Sequence, residues 1–157
     1  MSTTSTKTAE LRTIDPVWDA VTSGARQVAQ MEPSLANLIY SNVLNHDSFE
    51  SALAHRLAER LDHRDVSADL IRQAFHDALE IRPEIGAEAR ADLAATLERD
   101  PALHKAVDGF LYFKGFHAIQ THRFAHALWG GGRRDFALYL QSRSSAVFQV
   151  CLLYTSR

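Results

Sequence analysis

At 157 residues, with 46% hydrophobic and 23% charged residues, the chain can bury one sizeable core and is too short to favour two domains. A formal net charge of -2 excludes a phosphate-backbone binder built on clustered Lys and Arg, so no nucleic-acid partner is expected. No apolar run approaches the roughly 18 residues of a membrane span, and the only cysteine, Cys151, excludes an internal disulfide, so no membrane partner and a cytoplasmic location are expected.

Residues 1–14 read as a disordered lead, rich in Ser and Thr and without the hydrophobic core of a secretory signal. Asp15-Pro16 is a helix start, with Asp as N-cap and Pro in the first turn, and Val17, Trp18, Val21, Ala25 and Val28 follow at helical spacing. Glu32-Pro33 breaks that helix and opens a second through Leu44. Ser48 caps a third, where Phe49, Leu53, Leu57 and Leu61 recur every four residues. Ser67 starts a fourth with Leu70, Ile71, Ala74, Phe75, Ala78 and Leu79; Pro83 opens a fifth with Ile85, Ala89, Leu93 and Leu97. After a second Asp-Pro start at Asp100-Pro101 and a break at Asp108-Gly109, a sixth helix spans Phe110 to Trp129. Gly130-Gly131-Gly132 stops it, and a last helix runs from Arg133 to about Val147. The fold class is all-α, with about seven helices and no repeat, phosphate loop or βαβ alternation.

Composition and spacing deliver no reaction. His122 and His126 stand four apart on one helix face, a spacing that lets two imidazoles share an ion. The run supplies no third ligand, so a packed or hydrogen-bonded pair is preferred and no metal site is assigned. Gly115 costs about 1 kcal/mol in a helix interior; close helix packing is the preferred reason, approach to a ligand or subunit the alternative. Asp100 reads as an N-cap. Phe110, Tyr112, Phe113, Phe116 and Phe124 read as core or subunit contacts, and Lys114 lacks basic companions for a nucleic-acid groove.

The run Leu111-Tyr112-Phe113-Lys114-Gly115-Phe116-His117-Ala118-Ile119-Gln120-Thr121-His122-Arg123 resembles the signature of serine O-acetyltransferases. The resemblance extends from Asp15-Pro16-Val17-Trp18 through Arg99-Asp100-Pro101-Ala102 and Gly132-Arg133-Arg134 to Phe148-Gln149-Val150. It implies that residues 15–150 are the helical N-terminal domain of that family, without the left-handed parallel β-helix that comes after it there. The implied reaction is acetyl transfer from acetyl-CoA to L-serine, the first step from serine to cysteine. The general-base His, its orienting Asp and the coenzyme A groove all lie in the β-helix, so no catalytic residue and no bound cofactor are expected in this chain, which would be inactive alone. Asp100 matches the one substrate-contacting residue of the helical domain, with an implied charge-assisted contact to the serine amino group.

The family places its orienting Asp directly after Phe-Gln-Val; here Cys151 stands there. The tail over residues 151–157 departs from the family, and one reading frame of a transposon-end adapter used in library preparation, TGT CTC TTA TAC ACA TCT, translates to its first six residues. The tail is therefore read as adapter-derived, with natural truncation as the rival. The family implies a homo-oligomer, a dimer of trimers assembled through the helical domain, with sulfhydrylase docking confined to the full-length protein. A stand-alone helical oligomerisation module without catalysis is the alternative, and a small metal-binding protein using His122 and His126 a third.

Overall fold

Asp15 starts the first helix as its sequence requires: its Oδ1 accepts a hydrogen bond from Trp18 N–H at 3.0 Å, and α1 runs Pro16–Met31. The computed structural model describes residues 14–150; nearly all of the expected lead (1–13) and the whole tail (151–157), Cys151 included, lie outside the described residues. After α1 come a 3-10 turn, Pro33–Leu35, the short α2, Ala36–Ile39, and a π-helical segment, Tyr40–Leu44. Then come α3 (Phe49–Leu61), α4 (Ala68–Ile81), α5 (Ile85–Arg99), α6 (Ala106–Tyr112), α7 (Lys114–Gly130) and α8 (Arg134–Phe148). Among the described residues there is no β-strand; His63 and Val66 form an isolated bridge. No described helix is long and apolar enough to cross a membrane.

The single helix expected from Pro33 to Leu44 is therefore three short pieces. Asn42 Nδ2 bonds back to the Leu38 carbonyl at 2.9 Å, and Asn45 N–H reaches the Tyr40 carbonyl at 3.0 Å, the wide spacing of a π turn. Ser48 and Ser67 cap α3 and α4 by accepting from Ser51 and Leu70 N–H. The glycine run ends α7 with Gly132 at φ +91° and with Arg133 N–H on the Leu128 carbonyl at 2.8 Å, the pattern of a Schellman stop.

Helix α7 is the central strut: its sides pack against α4, α5 and α8, and nine of its residues, from Phe116 to Leu128, are buried. A helix surrounded by protein needs no clean polar face. One aromatic group joins α1, α3 and α6, with Trp18 edge-on to Phe49 at 6.2 Å and Phe49 to Phe110 at 5.7 Å. Phe75 of α4 stacks on Phe124 of α7 at 4.4 Å.

Candidate functional site

Asp100 sits where α5 ends. Its N–H closes the last turn on the Thr96 carbonyl, its carbonyl accepts from Leu103 N–H at 3.1 Å, and its Oδ1 accepts from Ala102 N–H at 2.9 Å. This is an Asx turn around Pro101, in which the side chain bonds two residues on. The N-cap expected from Asp-Pro is thus corrected: no helix starts at Pro101, and Asp100 terminates α5 instead. The bond engages one carboxylate oxygen and folds the turn tightly on itself.

Beside the turn lies an open groove of about 400 Å³. Ala95, Pro101, Phe113 and Ile119 give it apolar walls, and Asp92, Arg99 and Asp100 supply its charge. The structure therefore brings Asp100 together with two members of the signature run. Ile119 is 43% exposed, which leaves a large apolar side chain at the groove mouth.

The groove owes its shape to a break at Phe113, not at Gly109 as the sequence suggests. Helix α6 passes straight through Gly109, which is buried; a Cβ there would lie 3.0 Å from Leu93 Cδ1 and 3.7 Å from Leu103 Cδ1. At Phe113 the backbone turns extended, with ψ 104°. A helix end leaves carbonyls without intrahelical partners. Here Arg56 donates Nε and Nη2 to the Leu111 carbonyl at 3.0 and 2.6 Å, and His117 Nε2–H donates to the Phe110 carbonyl at 2.7 Å. That bond fixes the His117 tautomer, so Nδ1 carries the lone pair that faces Arg60 Nη1 at 3.5 Å. Burial pushes the His117 pKa down to about 4, because an imidazolium there would be unsolvated beside Arg60 and Arg56. His117 is neutral at physiological pH and serves as a hydrogen-bonded wedge.

Two ionic networks brace the same helices. Arg123 of α7 pairs with Glu88 of α5 at 3.1 Å and with Asp92, a groove residue. Arg90 of α5 pairs with Asp15 at 2.8 Å and with Glu50 of α3, and its guanidinium lies 4.7 Å over the Phe49 ring. Burial alone would lower the Arg90 pKa, but the hydrogen bonds to Glu50 and Asp15 raise it. Burial likewise pushes both carboxyls up, and the Arg90 bonds outweigh it and hold each below the ordinary value.

The remaining sequence candidates stay apart from the groove. His122 and His126 have ring centroids 6.3 Å apart, and burial, then His126 and Arg123, depress the His122 pKa. Among the described residues no group of three or more His, Cys, Asp or Glu side chains is placed to hold a metal ion. Gly115 has nothing within 4 Å of a would-be Cβ, so close packing, the expected reason for it, is corrected. Arg56 is not among the residues that the sequence singles out, although its position carries a signal: it falls on the buried face between Leu53 and Leu57, where an unpaired charge is costly.

Residues 17–121 match the family model for the N-terminal region of serine acetyltransferases. The chain belongs to the serine acetyltransferase N-terminal family. It is 49% identical over 137 residues to a probable serine acetyltransferase 3 of Oryza sativa subsp. japonica, covering 87% of this chain and 46% of that protein. It is 39% identical over 137 residues to serine acetyltransferase of Escherichia coli strain K12, covering 87% of this chain and 50% of that one. The crystal structure of Brucella abortus strain S19 serine acetyltransferase in complex with coenzyme A superposes with a TM-score of 0.86 at 49% identity, over 90% of this chain and 57% of that one. The chain spans about half the length of the curated relatives it matches.

Proposed function

We propose that residues 15–150 form the helical domain of a serine O-acetyltransferase, which transfers the acetyl group of acetyl-CoA to L-serine, and that Asp100 forms one wall of the serine pocket. The observation that carries this reading is the groove in which Asp100 meets Phe113 and Ile119 of the signature run. A carboxylate anchored through one oxygen to Ala102 N–H suits a charge-assisted bond to the substrate ammonium. The general base, its orienting Asp and the coenzyme A groove are supplied by residues after Val150 in the family; the coenzyme A complex of the Brucella abortus relative is consistent with acetyl-CoA as donor. The 157-residue chain by itself is inactive and binds no cofactor on this reading.

Joining residues 1–150 to the C-terminal part of the Brucella abortus relative, beyond the matched region, tests the assignment. Asp100→Asn in that hybrid raises the serine KM by roughly 10- to 100-fold, the worth of a hydrogen bond to a charged group, and leaves the acetyl-CoA KM unchanged. An unchanged serine KM defeats the role of Asp100; acetyl-CoA turnover by the unjoined chain defeats its inactivity.

Self-association through the helical domain, as a dimer of trimers in the whole enzyme, completes the proposal. Met31, the last residue of α1, is 78% exposed and Tyr40, just after α2, 50%, apolar side chains suited to burial against a second copy. Sulfhydrylase docking belongs to the longer protein, and the cytoplasm suits the reaction. A chain that sediments as a monomer at high micromolar concentration removes the oligomer.

A further inference from the structure

His117 is fully buried, lies inside the signature run, and has no part in acetyl transfer as proposed. Its surroundings show what it does. On one side Nε2–H holds the Phe110 carbonyl at 2.7 Å, in the last turn of α6. That helix carries Phe113 into the groove and, through Gly109, lies against Leu103, just after the Asp100 turn. On the other side the ring stands edge-on to Phe148 at 5.6 Å, and Arg60 lies 5.4 Å over the same Phe148 ring while facing His117 Nδ1. Phe148 is the last residue of α8. Gln149 then takes a left-handed conformation, φ 61°, which turns the chain out of the helix into Val150.

We infer that His117 is a positioning residue for the proposed reaction: it fixes the Asp100 groove relative to the point where the chain leaves α8. The inference rests on the serine-pocket reading, because only there does the distance from Asp100 to the residues after Val150 matter. A general base and a substrate-holding carboxylate on opposite sides of one junction need a common reference, and misplacement by about 1 Å can cost two orders of magnitude in rate. The imidazole is suited to it. It donates to α6 and packs on Phe148 with one rigid ring, and its low pKa keeps that arrangement uncharged.

Three substitutions test this: His117→Gln, which keeps a donor near the Nε2 position, His117→Leu, which removes it, and Phe148→Leu, which removes the ring on the far side. In the 157-residue chain, His117→Leu and Phe148→Leu shift the NMR resonances of the Ala102 amide and the Ile119 methyls, and His117→Gln restores them. In the hybrid enzyme, His117→Leu lowers kcat/KM for serine by roughly 10-fold or more with the acetyl-CoA KM unchanged, and His117→Gln recovers most of it. Folded His117→Leu and Phe148→Leu chains with the groove resonances unmoved overturn the inference. If His117→Leu does not fold, Phe148→Leu decides alone: its ring is the far-side contact of His117, and a folded Phe148→Leu chain with the groove resonances unmoved overturns the inference. Asp100→Asn in the same series separates the two readings: an unchanged serine KM there sinks the serine pocket, while the NMR shifts still report on His117.

Discussion

The guanidinium of Arg56 and the carbonyl of Leu111, 55 positions apart in sequence, make a two-pronged hydrogen bond inside the protein. A buried cation is thereby committed to a backbone oxygen. The carbonyl needs it, because α6 ends one residue later and the helix offers no partner. The cation needs the carbonyl as much: burial pushes the Arg56 pKa down, and the planar fork recovers some of the lost hydration.

Arg56→Lys tests that mutual dependence. Lysine keeps the charge and loses the fork, so one donor must replace two. The expected cost is about 2–3 kcal/mol, or a fall in Tm of roughly 5–10 °C for a chain this size, measured by scanning calorimetry. A Tm within about a degree of the parent shows that the fork does not hold the break.

His117→Gln changes the pH dependence of stability in a defined window. The folded His117 pKa, about 4, lies below the ordinary value of about 6.5, so the unfolded chain takes up the proton first as pH falls. Its contribution is complete above pH ~6.5 and is lost between there and pH ~4, with a limiting slope of about 1.4 kcal/mol per unit. Glutamine does not titrate. Urea melts across that range show the parent losing stability relative to the variant as pH drops; parallel curves contradict the burial of a neutral imidazole.

Gly86→Ala strikes the Arg90 network indirectly. A Cβ at Gly86 would approach Glu50 Cδ and Cγ to 2.9 Å and press still closer on its carboxylate. Displacing Glu50 from Arg90 costs about 1–3 kcal/mol, the range for overpacking. Most of that penalty is absent in a Glu50→Ala background, because the obstructing side chain has gone. A double-mutant cycle read by chemical denaturation checks it, and full additivity refutes it.

Gly115→Ala goes the other way. The position is helical and open on its Cβ side, so alanine gains about 0.5–1 kcal/mol from helix propensity and a less free unfolded chain. Tm rises by roughly 2–3 °C. A loss of stability means that the glycine backbone is used in a way these contacts do not capture.

Much of the fold is legible because its signals are local. Asp15-Pro16, Ser48, Ser67 and the triple glycine mark helix ends by chemistry acting within a few residues, and each does so in the structure. The Phe113 break is not legible. Gly109 is the weaker helix former, but the donors that permit an end at Tyr112 come from Arg56, far away in the chain, and from His117 across the break. Asp100 can be singled out by resemblance, but an Asp-Pro pair reads equally as the start of a helix or the end of one. Its nearness to Phe113 and Ile119 depends on where α5 and α7 cross, which no spacing within either helix encodes. Gly115 and Gly86 make the same point in opposite senses: a glycine's reason lies across the space in front of it, empty in one case and filled by Glu50 in the other.

The two ways of holding helices together give the molecule a soft end and a hard end toward dissolved salt. Around Arg90 the contacts are ionic, and the depressed Asp15 and Glu50 pKa values mean stability present above the ordinary carboxylate pKa of about 4 and lost as acid titrates the folded values. Around Phe113 the acceptors are peptide oxygens, which neither protonate in that range nor exchange partners with dissolved salt. Rising ionic strength should therefore loosen the α1–α3–α5 side first. Falling pH instead reaches buried His117 on the groove shoulder before the Arg90 carboxylates, so salt and acid take this domain apart from different ends.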